Sequence, residues 1–211
     1  MTDDTPHPRW ETVIEIAEVV VLAIVAIATA WSGYQGTQWG GKQAVLYGQA
    51  STLRFQADAA STLGGQQLVA DSAVFNSWLE AYDRGETQLE AAQVRRFSPD
   101  YRAAFDAWLK LDPFNDPSAP AGPAYMPGFT NPNLEQAAAL NAQASADFAA
   151  GTEARETANK YIRNTVLFAS VLFFVAVGQR LKVRGVRIAA GALGLTLLLY
   201  TLVNLILLPR A

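Results

Sequence analysis

The chain has 211 residues with 16 basic and 19 acidic side chains, and its net charge of −3 lacks the basic excess of a nucleic-acid-binding protein. It contains no cysteine, which excludes disulfides, thiol catalysis and thiolate metal sites. The one histidine, His7, lies between two prolines in a polar segment, and we expect a solvated residue rather than a metal ligand or base.

Three apolar stretches, residues 12–31, 161–181 and 186–208, dominate the chain. Each has about the 20 residues that a helix needs to cross a hydrocarbon core of ~30 Å. The sequence therefore predicts an all-α membrane protein with three transmembrane helices. A cleaved signal peptide ending at Ala28-Thr29-Ala30 is the alternative for the first stretch, but Glu15 and Glu18 interrupt its apolar core.

Helical spacing gives the first span a stripe of polar and small residues. The stripe comprises Glu11, Glu15, Glu18, Leu22, Val25, Thr29, Ser32, Gly36 and Gly40. An ionisable group within a membrane helix is expected to face protein or water rather than lipid. We therefore expect a protein partner for this stripe, and a homo-oligomer would supply one.

Three interpretations of these carboxylates stay open. Glu11, Glu15 and Glu18 could pair with the basic residues of the loop between the last two spans, whose stems reach the interface. They could instead form a ring in a homo-oligomeric cation channel, with Thr29 and Ser32 further along the path. A proton relay is the third alternative.

The segment Trp31-Ser32-Gly33-Tyr34-Gln35, continued by Trp39 and Gln43, resembles uncharacterised bacterial three-span membrane proteins. The resemblance implies a Trp/Tyr/Gln-rich helix after the first span, a long helical segment and a closing pair of spans. It implies no activity or cofactor for particular residues. Residues 75–133 depart from the layout of that group.

Small residues recur at every fourth position on both sides of the central segment. The first row is Gly36, Gly40, Ala44 and Gly48. The second row is alanine at 138, 142, 146, 150, 154 and 158, and its central members are Ala142, Ala146 and Ala150. Such spacing lets two helix backbones approach closely. We predict that residues 32–160 form an antiparallel helical hairpin with a small helical cap, and that Gly40-Gly41 and Gly64-Gly65 are the kink candidates.

The tip of this hairpin, residues 75–133, is rich in aromatic residues. Ser98-Pro99 predicts a helix start, with Ser98 as the cap and Pro99 in the first position. The aromatic residues are Phe75, Trp78, Tyr82, Phe97, Tyr101, Phe105 and Trp108. They are interpreted as a small hydrophobic core, with a pocket for an aromatic or cationic ligand as the alternative.

No catalytic arrangement stands out in the sequence, so we expect a non-enzymatic protein with neither cofactor nor metal. Asp112, Asn115 and Asp116 lack the spacing and the glycine of a calcium loop and are interpreted as a proline-rich turn. The carboxylates Glu80, Asp83, Glu86 and Glu90 have helical spacing and are interpreted as a solvated face.

Loop charge predicts the orientation. The loop 182–185 and its flanks carry Arg180, Lys182, Arg184 and Arg187 without an acidic residue, which places them in the cytoplasm. Residues 1–11 are then a cytoplasmic tail, residues 32–160 are extracytoplasmic, and residues 209–211 are an extracytoplasmic C-terminus.

The alanine-rich, lysine-poor composition favours the inner membrane of a bacterium. The leading hypothesis is an oligomeric accessory, sensory or scaffold subunit whose extracytoplasmic domain contacts a membrane or envelope protein. The alternatives are a homo-oligomeric ion channel with a Glu15/Glu18 ring and an envelope receptor that binds a ligand at the aromatic tip. The expected partners are the lipid bilayer and further copies of the chain, and not nucleic acid.

Overall fold

The computed structural model describes the backbone of residues 9–180 and 183–211, and the side chains within these ranges except at 9–15, 18 and 184. The described residues form five α-helices: α1 (Arg9–Asp83), α2 (Thr87–Val94), α3 (Pro99–Leu109), α4 (Pro132–Arg180) and α5 (Arg184–Leu207), with a 3₁₀ turn at Pro123–Tyr125. All regular structure in these ranges is helical, which confirms the all-α prediction.

Three of the helices, α1, α4 and α5, are long and apolar enough to cross a membrane. Residues 12–31, 161–180 and 186–207 of the predicted spans lie within them. The first two helices continue far beyond those spans, since α1 has 75 residues and α4 has 49. Both Gly40-Gly41 and Gly64-Gly65 lie inside α1 without ending it, so neither pair breaks the helix.

The chain divides into two compact units. The three-helix unit combines the residues up to Tyr47 with Phe148–Ala211, and the aromatic unit is Gly48–Asp147. Both long helices contribute to each unit. The predicted outer domain, residues 32–160, is defined by the membrane boundary and stays a prediction.

In the three-helix unit, α1, α4 and α5 surround an apolar core. Val25 of α1, Phe168 and Val171 of α4, and Leu198 of α5 are buried together. The helices α1 and α4 run antiparallel here, because Gly36 lies against Tyr161 while Tyr47, further along α1, lies against Gly151, earlier in α4. Large side chains thus fill the core near the start of α1, and glycines admit close contact beyond it.

In the aromatic unit, the buried positions of α1 repeat every seven residues. One row comprises Ala50, Ala57, Gly64, Asp71 and Trp78, and Ala60, Phe75 and Ala81 are buried beside it. A seven-residue repeat keeps one face of a helix against a partner, whereas a four-residue repeat drifts around the 3.6-residue helix.

The four-residue rows coincide with the buried face only in part, at Gly36, Ala154 and Ala158. Ala142, Ala146 and Ala150 of α4 are exposed, as are Ala44 and Gly48 of α1. The buried small residues of α4 are Ala137, Ala144, Gly151, Ala154 and Ala158. Most of these are also seven residues apart.

Candidate functional site

The structure brings most of the predicted aromatic residues into one core. Phe75 and Trp78 from α1 and Tyr101, Phe105 and Trp108 from α3 are buried together with Phe97. The Trp78 and Phe105 rings meet edge to face with centroids 4.8 Å apart, and the Phe75 and Trp108 rings do so at 5.3 Å. Such contacts add about 0.5–1.5 kcal/mol per pair beyond the burial of apolar area. The rings pack on one another, as expected of a core rather than of a ligand pocket.

Tyr82 differs from the other aromatic residues. It is 45% exposed and stacks on Phe114, with ring centroids 4.5 Å apart. Sequence reasoning missed Phe114, because it lies in the irregular segment after α3 where no periodicity marks it. The Tyr82 and Phe114 rings cover one edge of the core.

A hydrogen bond fixes the irregular segment to the core. The indole nitrogen of Trp108 donates to the carbonyl oxygen of Pro120 at 2.7 Å. Further along the same segment, the Phe129 ring meets Tyr101 edge to face at 5.8 Å. The side chains of Asn115 and Ser118 donate hydrogen bonds to Asp112 and Asp116 respectively, which is the local bonding of a turn.

A buried carboxylate joins α1 to the start of α3. Asp71 accepts a hydrogen bond from the backbone nitrogen of Ser98 at 2.8 Å and another from its hydroxyl at 2.6 Å. The Ser98 hydroxyl oxygen in turn accepts from the backbone nitrogen of Tyr101, so the predicted cap is confirmed. Burial, followed by the negative charge of Asp71, raises the pKa of Tyr101 to about 12.

Asn131 organises the start of α4. Its side-chain oxygen accepts hydrogen bonds from the backbone nitrogens of Asn133 and Leu134, which is the bonding of an N-cap before a proline. A Cβ atom on Gly64 of α1 would lie 2.7 Å from Leu134 Cδ2 and 3.1 Å from Asn131 Oδ1. Glycine at position 64 therefore admits the end of α4. The Asn-Pro pair was the signal in the sequence for this helix start.

The described part of the stripe, from Leu22 to Gly40, is buried or half-buried. Val25, Ser32 and Gly36 are buried in the three-helix unit, and the Thr29 hydroxyl donates to the carbonyl oxygen of Val25 at 2.7 Å. The chain's own helices cover this part of the stripe. Burial of these residues therefore does not require another subunit, and the homo-oligomer and the channel stay predictions. Gly40 is half-buried and has open space around it.

The buried polar groups of this unit include two without a partner. Among the described side chains, Ser32 Oγ and Asn164 Nδ2 are buried and make no hydrogen bond. The side chains of Glu11, Glu15, Glu18 and Arg184, and the whole of Lys182, lie outside the described residues. Arg180 and Arg187 are exposed. The carboxylate ring and the carboxylate–arginine pairs stay predictions.

The residues that carried the resemblance bind the segment after α5. The indole nitrogen of Trp39 and the hydroxyl of Tyr161 each donate to the carbonyl oxygen of Pro209 at 3.1 Å. Gln35, which is buried, accepts a hydrogen bond from the backbone nitrogen of Ala211 at 3.0 Å. These contacts hold residues 209–211 against α1 and α4.

An exposed face of α1 in the aromatic unit is largely apolar, with the carboxylate of Asp58 at its edge. Its residues follow steps of three or four and are Gly48, Thr52, Phe55, Ala59, Thr62, Leu63, Gln66, Val69, Ala70 and Ala73, here named the Phe55 face. The Phe55 side chain is 79% exposed and that of Val69 is 70% exposed. Large exposed apolar side chains grouped on one face are typical of interaction surfaces.

Comparisons of the chain with protein-family models, with curated proteins and with solved structures found no match.

Proposed function

We propose that this chain is a non-enzymatic, three-span protein of a bacterial inner membrane, and that it is a scaffold or accessory subunit that self-associates through the Phe55 face. Residues 1–11 and the loop 182–185 lie in the cytoplasm, and the aromatic unit lies outside. The exposed apolar side chains of the Phe55 face are the observation that carries the role.

Exposed apolar side chains support the membrane placement. Ile27 on α1, Phe173 on α4 and Ile206 on α5 are each more than 60% exposed. Moving one such side chain from water to hydrocarbon is favourable by about 1.5–3 kcal/mol of transfer free energy. A bilayer around all three helices accounts for apolar exposure of this extent.

Aromatic residues support the position of the outer boundary. Trp31 and Tyr34 are partly exposed next to each other on α1, and their ring centroids lie 5.9 Å apart. Amphipathic rings of this kind concentrate where a membrane meets water. Trp39 and Tyr161 bind Pro209 nearby, so the end of α5 lies at the same boundary.

The composition of the Phe55 face favours a second copy as its partner. Bulky Phe55, Leu63 and Val69 alternate with small residues such as Ala59, a pattern that lets two helices interdigitate. Charge is confined to the edge of the face, at Asp58, so apolar contact rather than charge would select the partner. Two copies would present the same surface to each other around a two-fold axis.

The test uses a photoreactive benzoylphenylalanine in the full chain in native membranes, with two differently tagged copies expressed together. Placed at Phe55 or Val69, it should link the two tagged copies; placed at Asn141, exposed on α4 of the same unit, it should not. If neither Phe55 nor Val69 gives a link between copies, the proposed self-association is wrong. An adduct with a different membrane protein instead would identify a hetero-complex and contradict the second copy as partner.

A further inference from the structure

A groove opens on the three-helix unit near the start of α5. It has a volume of about 420 Å³, within the range of ~300–1,000 Å³ that is usual for ligand sites. Apolar side chains from all three helices line it: Val21 from α1, Val171, Phe174 and Val175 from α4, and Leu195 and Leu198 from α5. The lining suits a hydrocarbon chain.

Glycines create the groove. A Cβ on Gly194 would lie 3.5 Å from the Phe174 Cβ, and one on Gly178 would lie 3.8 Å from the Ala190 Cβ, so α4 and α5 are close at both points. Gly191 also lines the groove, but a Cβ there would have nothing within 4 Å. The space over Gly191 is therefore open to a ligand.

A positive charge stands at the groove. Arg187, one turn into α5, is the charged residue among those that line it, and its side chain is exposed. Arg180 ends α4, and the sequence between them adds Lys182 and Arg184. From residue 157 onward the chain has no acidic residue. In the sequence, Glu11, Glu15 and Glu18 are the acidic residues predicted to compete for these basic residues.

We propose that this groove binds an anionic phospholipid, with an acyl chain along the apolar lining and the phosphate at Arg187. Basic pockets between helices on the cytoplasmic side of a membrane bind acidic lipid headgroups. The proposal rests on the membrane placement proposed above, but not on self-association.

The test is native mass spectrometry of the full chain, purified in detergent, stripped of lipid and titrated with phosphatidylglycerol or with phosphatidylcholine of the same acyl chains. Phosphatidylglycerol should bind at a concentration at least fivefold lower. R187Q should abolish that preference, while R210Q, the same change of charge on the segment after α5, should keep it. Gly191→Leu should fill the groove and weaken binding of both lipids, while Ala192→Leu, on an exposed neighbouring position, should not.

Equal binding of the two lipids, or wild-type binding by both R187Q and Gly191→Leu, would overturn the proposal. So would full competition by glycerol phosphate, which carries the charge without the chain and would indicate a soluble anion. Because Arg187 is exposed, R187Q changes the charge at the groove without repacking its apolar lining, so its effect on lipid binding is independent of the Gly191→Leu variant. The same spectra report subunit number, so a monomer that retains phosphatidylglycerol would contradict the self-association alone. A chain that stays in solution without detergent would contradict the membrane placement.

Discussion

Trp39 and Tyr161 donate hydrogen bonds to the same acceptor, the carbonyl oxygen of Pro209. One donor lies on α1 and the other on α4, whereas the acceptor follows α5. This single carbonyl oxygen therefore connects all three helices of the unit.

Removal of one of the two hydrogen-bond donors to Pro209 should lower the stability of the three-helix unit. Tyr161→Phe keeps the ring but loses the hydroxyl, and we expect the free energy of unfolding to fall by about 0.5–1.5 kcal/mol, the net value of one hydrogen bond. Thermal unfolding in detergent measures the change. Tyr34→Phe, at an exposed ring on α1, is the control and should melt like the wild type. Equal melting of both variants would mean that the Pro209 contact contributes nothing to stability.

The two glycines at 64 and 65 should respond in opposite directions to alanine. Gly65 has open space around it, so Gly65→Ala should stabilise α1 by about 0.5–1 kcal/mol. Gly64→Ala should destabilise the protein, because its Cβ would lie 2.7 Å from Leu134 Cδ2. Shortening that neighbour in the double variant Gly64→Ala/Leu134→Ala should recover part of the loss. Equal effects of the two single substitutions in chemical unfolding would contradict the packing described.

Asp71 should be among the most sensitive polar residues of the aromatic unit. An asparagine offers one acceptor oxygen where Asp71 accepts from both the nitrogen and the hydroxyl of Ser98. We expect Asp71→Asn to cost about 1–3 kcal/mol, since a buried donor loses its partner. Tryptophan fluorescence during urea unfolding reports on this unit through Trp78 and Trp108. Asp58→Asn, exposed on the same helix, should leave the urea midpoint unchanged. If both variants lowered the midpoint equally, the loss of a negative charge, and not the loss of the hydrogen bonds to Ser98, would explain the effect.

Tyr101 predicts a loss of stability in alkaline solution. Its pKa is about 12 in the folded protein against 10.0 ordinarily, so the unfolded chain releases the proton first as the pH rises. The contribution of Tyr101 to stability is then complete below pH 10 and is lost between pH 10 and 12, with a slope of at most about 1.4 kcal/mol per pH unit. Unfolding curves measured across this range should show the slope in the wild type. Tyr101→Phe should remove it, whereas Tyr34→Phe, at an exposed ring in the three-helix unit, should retain it.

Local signals made part of this fold predictable from the sequence. Hydropathy located the three apolar helices, and the cap at Ser98 followed from a hydroxyl before a proline. By contrast, α2 has no buried residue, so the chain shows no apolar periodicity there. The prediction of a solvated face at Glu86 and Glu90 was compatible with a helix but did not identify one.

Contacts between distant segments were beyond the sequence. Spacing along one helix identified small residues at Ala142 and Ala146. Which face of a helix is buried depends on the helix that packs against it, and the residues buried in the structure are Ala137 and Ala144. The hydrogen bond from Trp39 to Pro209 joins residues 170 positions apart, and no local sequence pattern predicts it. The aromatic core was easier to predict, because its rings lie on two helices close together in the sequence.

The contact between Tyr47 and Gly151 limits how α1 and α4 can move. The Tyr47 ring stacks on Phe148 with centroids 4.9 Å apart, and a Cβ on Gly151 would lie 2.6 Å from that ring. Sliding one helix past the other by a single turn, about 5.4 Å, would put Asp147 or Arg155 beneath the ring in place of glycine. The ring-on-glycine contact therefore favours the observed register of the two helices over a register one turn away.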